Sequence, residues 1–313
     1  MNVAQPLRQL FPGASTRELL VSAGPGWSCF NPSIGFSPEE GYRIIVRSSN
    51  YRLDQYGQYN VSDPEGVIRT RNFLGVLDSN LDLVDLQLLK PPDWGPVLFP
   101  LVRGLEDARL YWQRDHWQVY GTLRSHQVSG VPTMATARIE HDQMVDPQML
   151  LGPDPNRCEK NWCKFGYADR YVYTCNPPYV IQNGELSLQT RSHAGPLRPE
   201  SGEFRGGGPL VYVDNPSCEN IGITHEVDWN TGHRRYWHRF CVFDAGGMLT
   251  AFTPPFFFVF DELLDDVPMI EYAAGMVSYG DDYVVSLGFQ DSRAFLATIP
   301  KTSVHKSMQS AFA

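Results

Sequence analysis

Two carboxylates stand beside an arginine in one short segment of this sequence. The segment is Gly104-Leu105-Glu106-Asp107-Ala108-Arg109, and the apolar pair Leu110-Tyr111 follows it. An aspartate beside a cation stays ionised, whereas one shielded by aromatic walls keeps its proton and can act as a general acid. Alternation along a strand places Asp107 and Arg109 on one face and Glu106 on the other. The segment predicts acid–base chemistry at Asp107, with a structural ion pair as the alternative.

A second segment combines a cation, an amide and a large aromatic ring. It is Glu159-Lys160-Asn161-Trp162. Such a mixture suits a polar ligand with an anionic group and flat apolar patches, for example a sugar that carries phosphate. A solvated lysine beside a core tryptophan is the alternative interpretation of the same residues.

Glycine, arginine and histidine are concentrated farther along the chain. The segments are Phe204-Arg205-Gly206-Gly207-Gly208-Pro209, then His225, then Arg234-Arg235-Tyr236-Trp237-His238. Three glycines let the backbone approach a ligand closely, although they also fit a bulge or a tight corner. Histidines and arginines on facing strands are suitable ligands for an anion.

Short β-rich runs must position these residues. Alternating runs such as Tyr171-Val172-Tyr173 and Tyr283-Val284-Val285-Ser286-Leu287 predict strands, and turn signals such as Asn183-Gly184 separate them. No helical period persists beyond about three turns. Short helices are predicted only over residues 16–20 and around residues 260–264.

The polar clusters recur along the chain. They start near Asn31, Glu106, Glu159, Gly206 and Glu271, at intervals of about 50 to 75 residues, which is the size of a four-stranded blade with variable loops. We therefore expect an all-β fold, a five-bladed β-propeller that forms a single domain over residues 1–313. Its inner strands would surround a central funnel-shaped active site. A β-sandwich is the alternative, but its strands would not bring five distant clusters together.

Composition and charge exclude several classes of protein. The net charge is −9 and the longest basic run is Arg234-Arg235, so the attraction that drives nucleic-acid binding is missing. The six cysteines are too sparse for a disulfide framework, and no apolar run approaches the length of a membrane span or a signal peptide. We expect a cytoplasmic protein without membrane insertion. The histidine and cysteine spacings predict no metal site, and no dinucleotide or Walker motif predicts a cofactor.

Taken together, the motifs resemble those of the five-bladed propellers of glycoside hydrolase family 130. The residues that carry the resemblance are Asn31-Pro32-Ser33, the 104–109 segment, Glu159-Lys160-Asn161-Trp162, His225 and Tyr236. That family contains inverting β-mannoside phosphorylases and hydrolases, and related propellers act as β-1,2-mannosyltransferases. The resemblance extends from about Asn31 to Asp291.

The resemblance implies roles for individual residues. The family motif is Gly-x-Glu-Asp-Pro-Arg, in which the aspartate is the general acid, so this role falls to Asp107, with Ala108 in place of the proline. The implied sugar-binding residues are Asn31, Arg47, Glu106, Arg109, Trp162 and Asp291. The implied phosphate-binding residues are Lys160, Asn161, Arg205, His225, Tyr236 and His238. A family arginine after the third-blade strand is absent, because Tyr173-Thr174-Cys175-Asn176 stands there.

These observations favour a carbohydrate-active enzyme of polysaccharide biosynthesis. It would transfer a mannosyl-type unit with inversion, to or from phosphate or a phosphorylated or nucleotide sugar donor, with no other cofactor. The alternatives are an inverting hydrolase, with Glu203, Glu226 or Asp244 as base, and a non-catalytic carbohydrate-binding propeller. The substrate would be a small molecule or an oligosaccharide, and assembly into a homo-oligomer stays open.

Overall fold

Strands dominate the chain. The computed structural model describes residues 4–154, 156–166, 169–190, 195–213, 218–229, 232–262 and 268–313. The first strands are β1 (Gln5–Pro6), β2 (Ser15–Leu19), β3 (Ser28–Ser37), β4 (Gly41–Ser49), β5 (Tyr51–Leu53), β6 (Tyr59–Val61), β7 (Ile68–Leu77), β8 (Leu83–Leu89) and β9 (Val102–Arg103). The next are β10 (Glu106–Gln113), β11 (His116–Leu123), β12 (Thr133–Glu140), β13 (Gln143–Leu150), β14 (Cys163–Lys164), β15 (Arg170–Thr174), β16 (Tyr179–Gln182) and β17 (Glu185–Leu188).

The remaining strands are β18 (Arg205–Gly206), β19 (Val211–Tyr212), β20 (Asn220–Asp228), β21 (Arg235–Phe243), β22 (Leu249–Phe252), β23 (Phe256–Phe257), β24 (Glu271–Tyr279), β25 (Asp282–Phe289), β26 (Arg293–Pro300) and β27 (Gln309–Ser310). The helices are α1 (Leu7–Leu10), α2 (Lys301–Lys306) and a 3₁₀ turn, Pro199–Glu203. Neither α1 nor α2, the α-helices of the described ranges, has the length or apolar character needed to cross a membrane.

The strands form sheets that follow one another along the chain. The first sheet contains β3, β4, β7 and β8, with β9 parallel to β7; the second contains β10 to β13 and the third β14 to β17. The last contains β24, β25 and β26, and β2 from the start of the chain completes it as the outer strand. Meandering antiparallel sheets arranged in this way define a β-propeller.

One further sheet is irregular. Both β18 and β19 pair with β20, and β21 pairs with β20, β22 and β23; β27 and β1 then join at the outside, which gives eight strands. Four of the other sheets have the four or five strands of a regular blade, and β5 and β6 form a separate two-stranded sheet. The all-β propeller is confirmed, but the structure shows four regular blades and not the five that the sequence predicted, because the strands of the remaining sheet do not form a simple four-stranded meander.

The core lies between neighbouring sheets. Ile45 and Leu74 of the first sheet pack in one apolar cluster with Leu110 and Val119 of the second. The inner strands are also joined directly, because the backbone N–H of Leu110 donates to Ser33 Oγ at 3.0 Å. This packing fixes the inner strands β3 and β10 relative to each other.

The glycine triplet belongs to this packing. A Cβ added to Gly206 would lie 2.3 Å from the Asn161 carbonyl oxygen, and one added to Gly207 would lie 2.5 Å from that of Ala273. Gly208 has the same close contact, with its Cβ 2.5 Å from the Ala274 carbonyl oxygen. The triplet lets three inner strands meet, so the predicted close approach to a ligand is corrected to an approach between strands.

The helix predicted over residues 16–20 is wrong. This segment is strand β2, which pairs in antiparallel register with β26 from Ser15 against Thr298 to Leu19 against Ala294. Pairing with the open edge of β26 stabilises a strand here, and this pairing outweighs the weak helical preference of the segment. The other predicted helix is not formed at residues 260–262, and its residues 263 and 264 lie outside the described ranges.

Candidate active site

A polar pocket lies where the first strands of the sheets begin. Its volume is about 230 Å³. The catalytic and sugar-binding candidates that line it are Asn31, Arg47, Glu106, Asp107 and Asp291. The phosphate-binding candidates that line it are Lys160, Asn161, Arg205, His225 and Tyr236. The structure therefore brings together residues that are far apart in the sequence.

Asp107 is held as a carboxylate. Its Oδ1 accepts hydrogen bonds from Asn31 Nδ2 at 2.8 Å and from Arg47 Nη1 at 2.7 Å. Burial alone would raise the pKa of Asp107, but the charges of Arg47 and Arg109 and these two hydrogen bonds outweigh burial and lower the pKa to about 2. The side chain is therefore ionised at neutral pH in the ligand-free pocket.

Left-handed backbone conformations aim several polar side chains into the pocket. The φ angles are 47° at Asn31, 49° at Asp107, 63° at Asn161 and 47° at Asp291. Among residues with a side chain, asparagine and aspartate tolerate this conformation best. The strand pairing shifts register around Asn31 and around Asp107, as expected for β-bulges beside a functional site.

The bulge at Asp107 overturns the predicted alternation of the 104–109 segment. Glu106 and Asp107 both line the pocket and both bind Arg47, since Arg47 Nη2 lies 3.0 Å from Glu106 Oε1. Glu106 also faces Arg124, whose Nε lies 3.3 Å from Glu106 Oε2. The extra residue in the strand turns two consecutive carboxylates towards one cation, which a regular strand cannot do.

Arg109 lies beneath the pocket and does not line it. Its guanidinium is fully buried and donates to Asn161 Oδ1 at 3.0 Å, to the Asp107 carbonyl oxygen at 3.0 Å, and to the hydroxyl of Tyr272. The predicted sugar contact is corrected to a positioning role. Asn161 Oδ1 accepts from both Arg109 and Tyr272, so its amide NH₂ is the group left to donate to a ligand.

Positive charge is concentrated in the pocket of an acidic protein. Five cationic side chains and three carboxylates line it. Arg47 and Arg124 are paired with the carboxylates Glu106 and Asp107. Over the described ranges, the other three cations form no ion pair with a carboxylate; they are Lys160, Arg205 and Arg234. Arg234 interacts with Asp291, so Lys160 and Arg205 define the side of the pocket that is suited to an anion.

His225 adds a neutral ring to that side. Burial, followed by the neighbouring His238 and the charges of Arg205, lowers the pKa of His225 well below its ordinary value. The ring stacks on Tyr236 with centroids 5.2 Å apart. Its buried Nδ1 has no hydrogen-bond partner within the described part of the chain. A neutral imidazole with one free nitrogen can bind either a hydroxyl group or an anion.

Two predicted ligand contacts are wrong, because the side chains are buried in the core. Trp162 is only 2% exposed, and its Nε1 donates to Glu159 Oε2 at 3.1 Å. His238 is fully buried against the ring of Phe258, and burial lowers its pKa to about 3. Tyr111, which follows the 104–109 segment, likewise packs in the core beside Tyr120.

Sequence reasoning missed several residues of the pocket, namely Tyr51, Tyr59, Arg124 and Tyr272. The two first-named tyrosines lie on the hairpin of β5 and β6, which is inserted between β4 and β7. The hydroxyl of Tyr51 donates to Asp291 Oδ2 at 2.9 Å. In the sequence, an aromatic-rich hairpin between two strands of one blade could have indicated that these tyrosines belong to the pocket. Arg234 was visible within the longest basic run but was not assigned.

Two pocket carboxylates, Asp107 and Asp291, differ in acidity. Burial raises the pKa of Asp291, and the negative charge of Asp107 acts in the same direction. Environments that push neighbouring carboxyl pKa values apart separate a proton acceptor from a proton carrier.

Within the described residues, no group of three histidine, cysteine, aspartate or glutamate side chains is placed to hold a metal ion.

Solved propellers share this fold. A β-1,2-mannobiose phosphorylase from Listeria innocua superposes with a TM-score of 0.61 at 12% identity, over 94% of this chain and 99% of that chain. A glycoside hydrolase family 130 structure, from work on hydrolases of β-1,2-mannosidic linkages in Candida mannan, gives 0.59 at 13% identity over 93% and 95%. A GDP-Man-dependent mannosyltransferase from Leishmania mexicana gives 0.55 at 14% identity over 91% and 90%.

By sequence, no protein-family model and no curated protein matches this chain. The resemblance to the propellers of glycoside hydrolase family 130 is thus confirmed at the level of the fold.

Proposed function

We propose that this protein is a carbohydrate-active enzyme that transfers a mannosyl-type unit with inversion, using a phosphorylated donor. One observation carries the proposal: an ionised Asp107 shares a pocket with two cations, Lys160 and Arg205, that form no ion pair with a carboxylate in the described ranges. A proton acceptor facing an anion site is the arrangement that glycosyl transfer from a phosphorylated sugar requires. The shared fold with mannoside-active propellers supports the sugar class.

In the synthetic direction, an acceptor hydroxyl oxygen attacks the anomeric carbon of the donor. The bond from that carbon to the phosphoryl oxygen breaks, and its electron pair leaves with the phosphate. The hydroxyl proton passes to Asp107, directly or through a sugar hydroxyl. In the reverse direction, phosphate attacks the anomeric carbon and a protonated Asp107 returns the proton to the glycosidic oxygen. With its pKa lowered to about 2, Asp107 is ionised at neutral pH, which is the protonation state from which the synthetic direction starts.

The anion side would hold the phosphoryl group. Lys160 and Arg205 supply positive charge, and the Asn161 amide and the His225 ring supply neutral hydrogen-bonding groups. These groups stabilise negative charge that develops on a departing phosphate. On the opposite side Asn31, Arg47, Glu106 and Asp291 would bind the sugar hydroxyls, with Tyr51 and Tyr59 as apolar faces.

Inverting hydrolysis is less well supported, because its candidate bases do not line the pocket. Glu226 is paired with Arg239, and Asp244 accepts the backbone N–H groups of Gly246 and Met248 within a turn. Glu203 lies in the 3₁₀ turn and is exposed. An inverting hydrolase needs a carboxylate that can activate water opposite the acid.

The same proposal covers the architecture and setting of the enzyme. We count the irregular eight-stranded sheet as a fifth blade, so that all five blades surround one funnel that contains the pocket. The chain then acts as one domain over residues 1–313, in the cytoplasm, as part of polysaccharide synthesis. Phosphate or the phosphorylated sugar is the co-substrate, and no metal takes part.

The test uses the purified protein with mannose 1-phosphate or GDP-mannose plus mannose acceptors, and separately with β-1,2-mannobiose plus phosphate. Products are followed by mass spectrometry and proton NMR. Chain extension or release of sugar 1-phosphate, reduced at least about 100-fold by Asp107→Asn, supports the proposal. Asp85→Asn, which changes an exposed aspartate of β8, is the matched control.

Two other outcomes contradict it. Release of free mannose without phosphate dependence means hydrolysis. Sugar binding that Asp107→Asn leaves intact, with no turnover of any donor, means a non-catalytic propeller.

A further inference from the structure

Tyr272 lines the pocket without a role in the proposed reaction. It lies on β24 in the last sheet and is only 6% exposed. Its hydroxyl donates to Asn161 Oδ1 at 3.0 Å and accepts from the guanidinium of Arg109. Asn161 precedes β14 of the third sheet, and Arg109 lies on β10 of the second. One buried hydroxyl group therefore joins residues of three sheets.

The chemistry of the three groups fixes the direction of these hydrogen bonds. A guanidinium has no acceptor, so the Tyr272 oxygen accepts from Arg109 and its single hydrogen is left for Asn161. Burial raises the pKa of Tyr272, so the hydroxyl keeps this hydrogen at neutral pH. The amide oxygen of Asn161 must then be the acceptor, and the amide NH₂ is turned towards the pocket that Asn161 lines.

Asn161 needs such support because its backbone lies outside the regular strands. Its φ is 63°, and β14 begins two residues later. Its Oδ1 is held by Tyr272 and by Arg109, whose Nη2 lies at 3.0 Å. Arg109 is itself fixed, since its Nε donates to the Gly207 carbonyl oxygen at 2.5 Å and its Nη1 to that of Asp107 at 3.0 Å. Two converging donors therefore determine one orientation of the Asn161 amide.

We propose that Tyr272 is a positioning residue of the anion site. Its hydroxyl holds the Asn161 amide so that the amide N–H groups face the phosphoryl group, beside Lys160 and Arg205. An amide turned the other way would present its oxygen to the anion and repel it. This inference rests on the proposed function, because the site that Tyr272 organises is the phosphoryl site of that reaction.

The test measures binding of inorganic phosphate to the purified chain by isothermal titration calorimetry at neutral pH. Tyr272→Phe removes the hydroxyl and keeps the ring. We expect the affinity for phosphate to fall about fivefold, which is the effect of one hydrogen bond. In the Asn161→Ala background, the same change should alter the affinity less than about twofold, because Tyr272 acts through the amide. A purely structural role would lower the affinity equally in both backgrounds.

The matched control is Tyr283→Phe, which removes another buried tyrosine hydroxyl. Tyr283 is 2% exposed on β25, and its hydroxyl lies 3.3 Å from His305 Nε2 in the core outside the pocket. This control should bind phosphate within about twofold of the native chain. Unfolding temperatures show whether each variant is folded.

A second variant tests the orientation of the amide while Tyr272 stays in place. Asn161→Asp keeps an acceptor for Arg109 and Tyr272 and suits the left-handed backbone, but it turns a carboxylate oxygen towards the pocket in place of NH₂. The affinity for phosphate should fall at least about tenfold. This measurement decides the matter even if Tyr272→Phe does not fold.

Three results would overturn this inference alone. The first is equal phosphate binding by the native chain and Tyr272→Phe. The second is an equal loss in the native and Asn161→Ala backgrounds, because Tyr272 would then act through Arg109. The third is an Asn161→Asp variant that binds phosphate as tightly as the native chain. A native chain that does not bind phosphate would instead overturn the anion site of the proposed function, and this inference with it.

Discussion

Replacing Asp107 by asparagine removes one negative charge from a side chain held by Asn31 and Arg47, and asparagine accepts the same left-handed backbone. The variant should therefore keep the bulge and the pocket while losing the proton acceptor. Besides the loss of turnover, we expect a change in how stability depends on pH.

The magnitude follows from the shift in acidity. The pKa of Asp107 falls from its ordinary value of 3.8 to about 2 in the folded protein, which is at most about 2.4 kcal/mol at 1.36 kcal/mol per unit. Since the folded pKa is depressed, this stability is present above the unfolded pKa and is lost as the pH falls through the folded pKa. About 1 kcal/mol of it is lost between pH 5 and pH 3.

The assay is urea unfolding of the native chain, Asp107→Asn and the control Asp85→Asn at pH 5 and pH 3. All three proteins lose stability on acidification, because other carboxyl groups also titrate. The native chain and the control should lose about 1 kcal/mol more than Asp107→Asn. Comparing differences between two pH values removes any constant cost of the substitution.

Parallel loss in all three proteins would refute the reasoning. It would mean that Arg47 and Asn31 do not lower the pKa of Asp107 in the folded protein.

Burial raises the pKa of Glu271 to about 7, so stability should fall as the pH rises from about 4.5 to 7. Glu271→Gln should flatten this decline in urea unfolding at pH 5 and 7.5, and an unchanged slope would contradict it. A Cβ at position 288 would lie 1.9 Å from Asn31 Oδ1; Gly288→Ala should thus displace Asn31, cost about 1–3 kcal/mol and lower kcat, whereas unchanged kcat would contradict it. Phosphate should raise the unfolding temperature of the native chain, and Lys160→Ala and Arg205→Ala should each reduce this rise by about half or more. The control Lys306→Ala, at an exposed helix residue, should leave the rise unchanged. An equal rise in the native chain and in all three variants would refute the anion site.

Much of the pocket could be predicted from the sequence, because residues with suitable polar side chains stand at corresponding positions in different blades. Asp107, Lys160 and His225 stand at or near the first strands of different sheets, where a propeller brings its polar residues together. The same rule misplaced His238, which pairs with His225 across β20 and β21 but lies in the core. Residue type alone cannot tell a ligand from a buried ring of the same chemistry.

The other features of the pocket depend on local backbone geometry, which leaves no periodic pattern in the sequence. The bulge at Asp107 reversed the predicted faces of Glu106 and Arg109, and only the folded register reveals it. Tyr51 and Tyr59 enter the pocket from a hairpin outside the regular strand order of the blade. Such insertions follow tertiary packing, so neither alternation nor turn signals locate them.

The left-handed positions also bear on how the pocket can change by mutation. Asn31, Asp107, Asn161 and Asp291 share a left-handed conformation that asparagine and aspartate adopt more readily than most other residues with a side chain. The codons of these two amino acids differ by one base. A point mutation at any of the four positions therefore exchanges a neutral amide for a negative charge without disturbing the backbone. Natural variation can therefore tune the charge of this pocket in unit steps.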